Sequence, residues 1–277
     1  MPPQLNLEVS CYTWELSQTT SDRLRVCAVS FLNTTPLVWG MLHGPQIGLF
    51  ELDFRVPAGC ADQVASGAAD IGIVPSFELT RQDLEVLPGT GIACHGPVRS
   101  ILLISSRPAA EIRTLAVDSS SRTSVELARV ILERRYGAEP RRIPHPPDLA
   151  GMLTAADAAL IIGDPALRIP LTVPYHVYDL GQEWVEMTGL PMVFAVWAGR
   201  KGTAGPEVVQ AFRESCRYGK EHMEQIVVSE SEAREFAPEV VREYLTRHIV
   251  HELGPRDYEG MELFLEYARQ SASARAR

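Results

Sequence analysis

Short apolar runs alternate with helical stretches along the first two thirds of the chain, and this alternation limits the possible folds more than any other feature. Runs at 24–30 (LRVCAVS), 70–74 (DIGIV), 114–117 and 158–162 favour β-structure, and the segments between them have helical periodicity. Strands separated by helices at this spacing predict parallel βαβ units. We therefore expect an α/β protein with mostly parallel sheets.

The alternation breaks between residues 105 and 113 (SSRPAAEIR), where the chain is predicted to cross to a second lobe. The run at 193–198 (VFAVWA) predicts the return, and helices are predicted at 207–228, 238–251 and 257–268. We expect a flexible N-terminal extension (1–22), a discontinuous lobe 1 (23–108 and 200–277) with a helical C-terminal region, and lobe 2 (109–199). This is the two-lobed architecture of type II periplasmic-binding-protein-like folds, with a ligand cleft between the lobes.

Charge and cysteine content exclude several classes of protein. A net charge of −9 argues against binding to nucleic acid, which requires a basic surface. No stretch of about 18 apolar residues predicts a membrane span, and residues 1–22 lack the Lys or Arg of a secretory signal, which favours a cytoplasmic protein. Five cysteines without C-x-x-C spacing favour reduced thiols over disulfides or a metal site. The sequence leaves the oligomeric state open.

Polar or small residues follow the predicted strands, at the positions that a cleft would occupy. They lie at 30–36 (SFLNTTP), 70–76 (DIGIVPS), 96–100 (GPVRS), 118–124 (DSSSRTS) and 162–164 (IGD). The hydroxyls of 118–124 precede a predicted helix, so one of them is expected to be its N-cap. They outnumber what one cap needs, and Arg122 could add a charge-assisted hydrogen bond, so an anion site is favoured over capping alone.

For two further polar residues, the sequence pattern does not decide between a functional and a structural role. Asn33 offers both a donor and an acceptor at a strand end, but asparagine is also common in turns. Ser100 precedes an apolar strand, where a buried serine ordinarily bonds only to backbone.

Six segments taken together resemble the chorismate dehydratases of the futalosine route to menaquinone. They are FLNTTPLVWG, DIGIVPS, CHGPVRSILLIS, DSSSRTSVELARVIL, DAALIIGDPAL and EWVEMTGLPMVFAVWA, in this order between residues 25 and 200. The resemblance implies a carbon–oxygen lyase (hydro-lyase) that eliminates water from chorismate to give 3-[(1-carboxyvinyl)oxy]benzoate, with no cofactor and no metal. It also implies that Asn33 and Ser100 are catalytic.

The resemblance further implies that the enolpyruvyl carboxylate of the substrate takes the proton. The motifs contain no His–Asp or Cys–His pair, and His95 is predicted to be a loop residue rather than a base. Asp164 is expected to be structural or to orient other groups, since a carboxylate would repel the dianionic substrate unless a hydroxyl of the ligand donates to it. The expected substrate-binding residues are Ser76, Ser120, Arg122, Thr123, Ser124, Gly163 and Asp164.

Alternative interpretations remain at this stage. One is a non-catalytic cytoplasmic small-anion-binding protein of the same fold. Another is the related dihydroxynaphthoate synthase of the same pathway, whose chemistry calls for a protein base near the cleft. A group of large apolar side chains could wall the cleft or belong to the core, and the core is favoured for all but Trp184: Trp184, Met187, Met192, Phe194 and Trp197.

Overall fold

The computed structural model describes residues 23–275, so the predicted extension at 1–22 lies outside the described residues. The strands are β1 Arg25–Val29, β2 Glu51–Arg55, β3 Ile71–Pro75, β4 Leu84–Cys94, β5 Ile101–Ser105, β6 Thr114–Val117, β7 Arg141–Pro144, β8 Ala158–Ile162, β9 His176–Asp179, β10 Met192–Arg200 and β11 Val250–Glu252. The α-helices are α1 Thr35–His43, α2 Pro57–Ser66, α3 Arg122–Tyr136, α4 Leu149–Ala155, α5 Asp164–Leu167, α6 Leu180–Thr188, α7 Pro206–Glu221, α8 Met223–Arg234, α9 Pro238–Glu243 and α10 Pro255–Arg275.

The strands form two sheets, with the orders β11-β4-β10-β3-β1-β2 and β7-β6-β8-β5-β9. The predicted two-lobed α/β fold is confirmed, but the sheets are mixed rather than mostly parallel. β1 runs parallel to β2 and β3, and β6 runs parallel to β7 and β8, whereas β5 and β10 are antiparallel to their neighbours. The reason is that β5 and β10 each enter a sheet from the other lobe. They begin at the edge where the strands of the βα units end.

The lobe boundaries differ from those predicted. β5 lies in the second sheet and β10 in the first, so the chain changes sheets between Cys94 and Ile101 and again between Asp179 and Met192. We call the first sheet with its helices lobe 1 and the second sheet with its helices lobe 2. The sequence placed the crossing at 105–113 because a buried apolar strand looks the same in either lobe. That segment is instead a surface turn with a short 3-10 helix, Ala109–Glu111.

Other elements also depart from the predictions, and β7, β9, α4, α5 and α6 were not predicted at all. β4 escaped detection because Pro88 and its neighbouring glycines are typical of turns, and its pairing with β10 is interrupted by register shifts that accommodate them. The helix predicted at 207–228 is divided into α7 and α8 at His222. The helix predicted at 238–251 becomes α9, a π-helical turn at Tyr244–His248 and β11, which pairs with β4.

The main apolar core is continuous through both lobes, and a smaller cluster packs on the other face of the second sheet. Trp184 belongs to this core: its ring packs edge-on against Phe264, and its indole N–H donates to the carbonyl of Pro191 at 3.0 Å. Four cysteines are buried free thiols, namely Cys27, Cys60, Cys94 and Cys216. Within residues 23–275, no helix combines the length and apolarity needed to cross a membrane.

Candidate functional site

A cavity at the junction of the lobes lies at the carboxyl ends of β1, β3, β6 and β8. It encloses about 510 Å³ of space, including the part open to solvent. Strand ends of this kind are the usual ligand position in α/β folds. The walls are mostly apolar and include Phe31 and Phe194, so Phe194 lines the cleft rather than only the core. The polar or small lining residues are Asn33, Thr34, Ser100, Ser121, Ser124 and Gly163.

Asn33 lies in a 3-10 turn, Leu32–Thr34, between β1 and α1. The turn is held from lobe 2, because the N–H of Leu32 donates to Asp164 Oδ1 at 3.0 Å. It is also held from below, since His251 Nε2 lies 2.9 Å from the carbonyl oxygen of Asn33. Burial lowers the pKa of His251 to about 4, so the imidazole is neutral at pH 7, and Nε2 must be the donor to a carbonyl.

Ser100 lies at the start of β5, on the second side of the cavity, and is 1% exposed. Its carbonyl accepts from the N–H of Gly163 at 2.8 Å, and its hydroxyl accepts from the phenol of Tyr244 at 2.8 Å. The preceding loop is fixed by Asp179, which accepts from the N–H groups of Val98 at 2.9 Å and Arg99 at 2.6 Å. The Ser100 side chain therefore bonds to another side chain, not to backbone as the composition alone had favoured.

Ser121 and Ser124 occupy the start of the fifteen-residue helix α3. Ser121 is the N-cap, where the sequence had predicted only that one hydroxyl of 118–124 would be, and it accepts from the N–H of Ser124 at 3.4 Å. The two hydroxyl oxygens are 2.9 Å apart, and both residues line the cavity. The helix start thus presents paired hydroxyls and N–H groups to a ligand, which suits a carboxylate.

Gly163 lines the cavity in a backbone conformation that L-residues rarely adopt, with φ 65° and ψ −148°. A Cβ atom there would lie 2.7 Å from the ring of Phe31, so the residue allows a close approach between the lobes. Gly163 therefore lines the cavity and also allows Phe31 to pack against its backbone.

Ser76 and Thr123 lie outside the cavity lining and connect the lobes to each other. Ser76 donates to the carbonyl of Val193 at 2.8 Å, and its hydroxyl is 3.4 Å from that of Thr123. Thr123 in turn accepts from the N–H of Phe77 at 3.1 Å. Both hydroxyls are thus used within the protein, in contrast to the expected contact with substrate.

Ser120, Arg122 and Asp164 also make contacts within the protein. The Ser120 hydroxyl donates to Asp118 at 2.9 Å. The guanidinium of Arg122 pairs with Glu78 at 3.0 Å and with Asp62 at 2.7 Å, so its charge is neutralised outside the cavity lining. Asp164 accepts from the N–H of Leu32 and pairs with Arg234, so its carboxylate is used within the protein.

None of the described residues that line the cavity is charged, and none is a histidine. His95 lies in a loop outside the lining, and its Nε2 atom is 2.8 Å from Asp257. The site therefore offers neutral donors in an apolar enclosure, where hydrogen bonds are electrostatically stronger than in water.

Sequence reasoning missed three residues that support the site: Tyr244, His251 and Asp179. Tyr244 and His251 lie far along the chain from Ser100 and Asn33, and no local pattern links them. Asp179 did carry a signal, since it is the N-cap of α6 and is followed three residues later by Gln182, the spacing of a capping box.

Two lobes with a shared core and a cavity at the strand ends define a periplasmic-binding-protein-like fold. The periplasmic aliphatic sulphonate binding protein of Escherichia coli has this fold: it superposes with a TM-score of 0.65 at 15% identity, covering 92% of this chain and 93% of that protein. The model of the family described as menaquinone biosynthesis matches residues 24–270, and the chain belongs to that family.

Two relatives agree with this assignment. The chorismate dehydratase of Thermus thermophilus is 31% identical over 255 residues, which is 85% of this chain and 92% of the relative. The chorismate dehydratase of Campylobacter jejuni is 26% identical over 198 residues, covering 71% of this chain and 74% of the relative. The resemblance predicted from the six motifs is confirmed.

Proposed function

We propose that this chain is a chorismate dehydratase, a hydro-lyase that converts chorismate into 3-[(1-carboxyvinyl)oxy]benzoate and water at the start of the futalosine route to menaquinone. The relatives support the activity. The observation that carries the assignment of residues is a single cavity lined by Asn33, Ser100 and the hydroxyls that begin α3.

In the proposed reaction, the enolpyruvyl carboxylate removes the proton from C3 of the ring. The electron pair of the C3–H bond forms the new ring double bond, and the C4–O bond breaks. The proton from C3 and the hydroxide from C4 together make one water molecule. Because the product is aromatic, the elimination is strongly favourable, and the protein has mainly to align the two breaking bonds.

Each cavity residue has a task in this reaction. Asn33 orients a carboxylate or the ring hydroxyl, and Ser100 donates a hydrogen bond to the departing oxygen. Ser121 and Ser124, with the N–H groups of α3, hold a carboxylate, to which the helix dipole adds about 0.3–1 kcal/mol. The aromatic walls keep bulk water from the reacting atoms.

The test is incubation of the purified protein with chorismate, followed by aromatic absorbance and product mass. We expect turnover by the wild type, and Asn33→Ala and Ser100→Ala should each lower kcat by about 10²-fold, as expected for loss of one transition-state donor. Ser105→Ala is the matched control, since this buried serine of β5 bonds to the carbonyl of Asp157 at 3.2 Å and lies outside the cavity lining. It should keep the wild-type kcat.

A folded wild type that binds chorismate without converting it would identify a binding protein of the same fold and refute the proposal. The related dihydroxynaphthoate synthase calls for a protein base, and the lack of a histidine in the described cavity lining speaks against it. The proposal includes a cytoplasmic location, supported by the four buried free thiols, which are typical of a reducing compartment.

A further inference from the structure

The C-terminal segment that follows α9 reaches the two proposed catalytic residues from behind the cavity. α9 ends at Glu243 and continues as the π-helical turn Tyr244–His248, after which the chain enters β11. π-helical turns are rare and are frequently found at functional sites. Tyr244, the first residue of the turn, is 2% exposed and lies outside the cavity lining.

The phenol of Tyr244 contacts the side chain of Ser100, one of the two proposed catalytic residues. It donates to the hydroxyl of Ser100 at 2.8 Å. Burial raises the pKa of Tyr244. The phenol is thus protonated at neutral pH and remains a donor.

The direction of this bond determines what Ser100 can do. A serine hydroxyl has one proton and two lone pairs. Because Tyr244 fills one lone pair of Ser100, the hydroxyl proton of Ser100 is left to point elsewhere, and Ser100 lines the cavity. Hydrogen bonds in series also polarise one another, so the bond from Tyr244 strengthens the bond that Ser100 donates into the cavity.

We propose that Tyr244 is a positioning residue that fixes the Ser100 hydroxyl as a donor toward the departing oxygen of the substrate. This inference rests on the proposed dehydratase function. Tyr244 acts only through Ser100 and does not contact the substrate itself. Its loss should therefore slow the chemical step without weakening substrate binding.

The experiment measures kcat and KM for the wild type, Tyr244→Phe, Ser100→Ala and the double variant. Phenylalanine retains the ring and removes only the hydroxyl. We expect Tyr244→Phe to lower kcat by about tenfold, the factor that one lost hydrogen bond produces, with KM changed by less than about twofold. In the Ser100→Ala background the same substitution should have no further effect on kcat, because the residue through which it acts is gone.

Tyr136→Phe is the matched control, since that hydroxyl bonds to Glu183 at 2.6 Å and lies outside the cavity lining. It should keep the wild-type kcat. A fully active Tyr244→Phe would overturn the positioning role, as would an equal loss of kcat in the wild-type and Ser100→Ala backgrounds, which a purely structural tyrosine would give. An inactive wild type would overturn the proposed function and the inference together, so the two failures are distinguishable.

Discussion

Acidification should destabilise this protein through His251, which lies beneath the proposed catalytic turn. The imidazole is 5% exposed, and burial lowers its pKa from 6.5 to about 4, with the nearby Lys220 acting in the same direction and the bond to Asn33 opposing it. A lowered histidine pKa means that the unfolded chain binds a proton that the fold does not. The contribution of His251 to the free energy of unfolding is therefore fully present above about pH 6.5 and is lost as the pH falls toward 4.

The magnitude follows from the two pKa values. Between pH 7 and pH 5 the unfolded chain becomes almost fully protonated at His251, while the folded chain stays mostly neutral there. The pKa of His251 is 6.5 in the unfolded chain and about 4 in the folded one. Proton linkage between the two states then gives a loss of about 2 kcal/mol in the free energy of unfolding.

The assay is urea denaturation at pH 7 and pH 5 for the wild type and His251→Gln. Glutamine does not titrate, and its amide N–H can still donate to the carbonyl of Asn33. We expect the variant to lose about 2 kcal/mol less than the wild type over this interval. His176→Gln, at an exposed histidine of β9, should keep the pH dependence of the wild type.

Other buried groups do not confuse this comparison. Burial raises the pKa of Asp179, so its contribution has the opposite sign and favours the fold as the pH falls. That contribution is common to wild type and variant and cancels in the difference. Equal losses in the two proteins would refute the reasoning, because the imidazole of His251 would then not be held neutral by burial.

Two substitutions test the contacts between the lobes. Gly163→Ala should lower the free energy of unfolding by about 1–3 kcal/mol and reduce turnover, because the backbone is in a region reserved for glycine and the new Cβ meets Phe31. Gly137→Ala, at φ 66° with no atom near the new Cβ, should have a smaller effect on stability and none on turnover. Arg122→Ala should lower the urea midpoint while leaving KM within about twofold, because it removes a cation from the buried carboxylate of Glu78. A raised KM with unchanged stability would instead place Arg122 in substrate binding.

The position of the candidate site could be predicted because it depends on which residues directly follow each strand in the sequence. Polar residues that follow parallel strands lie at one edge of a sheet, which is why Asn33 after β1 and Ser124 after β6 were expected near a cleft. Ser100 required the family resemblance, since nothing local separates it from an ordinary buried serine.

The roles of Arg122 and Thr123 could not be predicted, because their partners are distant in sequence. A serine-rich helix start with an arginine indicates an anion site only if the arginine is free, and here Asp62 and Glu78 from lobe 1 neutralise it. The same limit hid Tyr244, whose contact with Ser100 spans 144 positions of the chain. Sequence order thus indicates which residues lie near the cleft, but tertiary packing determines which remain available to a ligand.

The neutral character of the cavity matters for the proposed chemistry. Arg122 and Arg234, which lie near it, are paired with carboxylates of the chain itself, Arg122 with Glu78 and Asp62, and Arg234 with Asp164 and Glu230. Arg99, next to Ser100 in the chain, donates instead to the carbonyls of Ala166 and Ile169. A direct arginine partner would lower the pKa of a substrate carboxylate and make it a weaker base. Under the proposed function, hydroxyls and N–H groups hold the dianion with less loss of basicity, so the enolpyruvyl carboxylate can still take the proton from C3. The ion pairs join the two lobes, and under the same proposal the substrate is recognised by the directions of its hydrogen bonds.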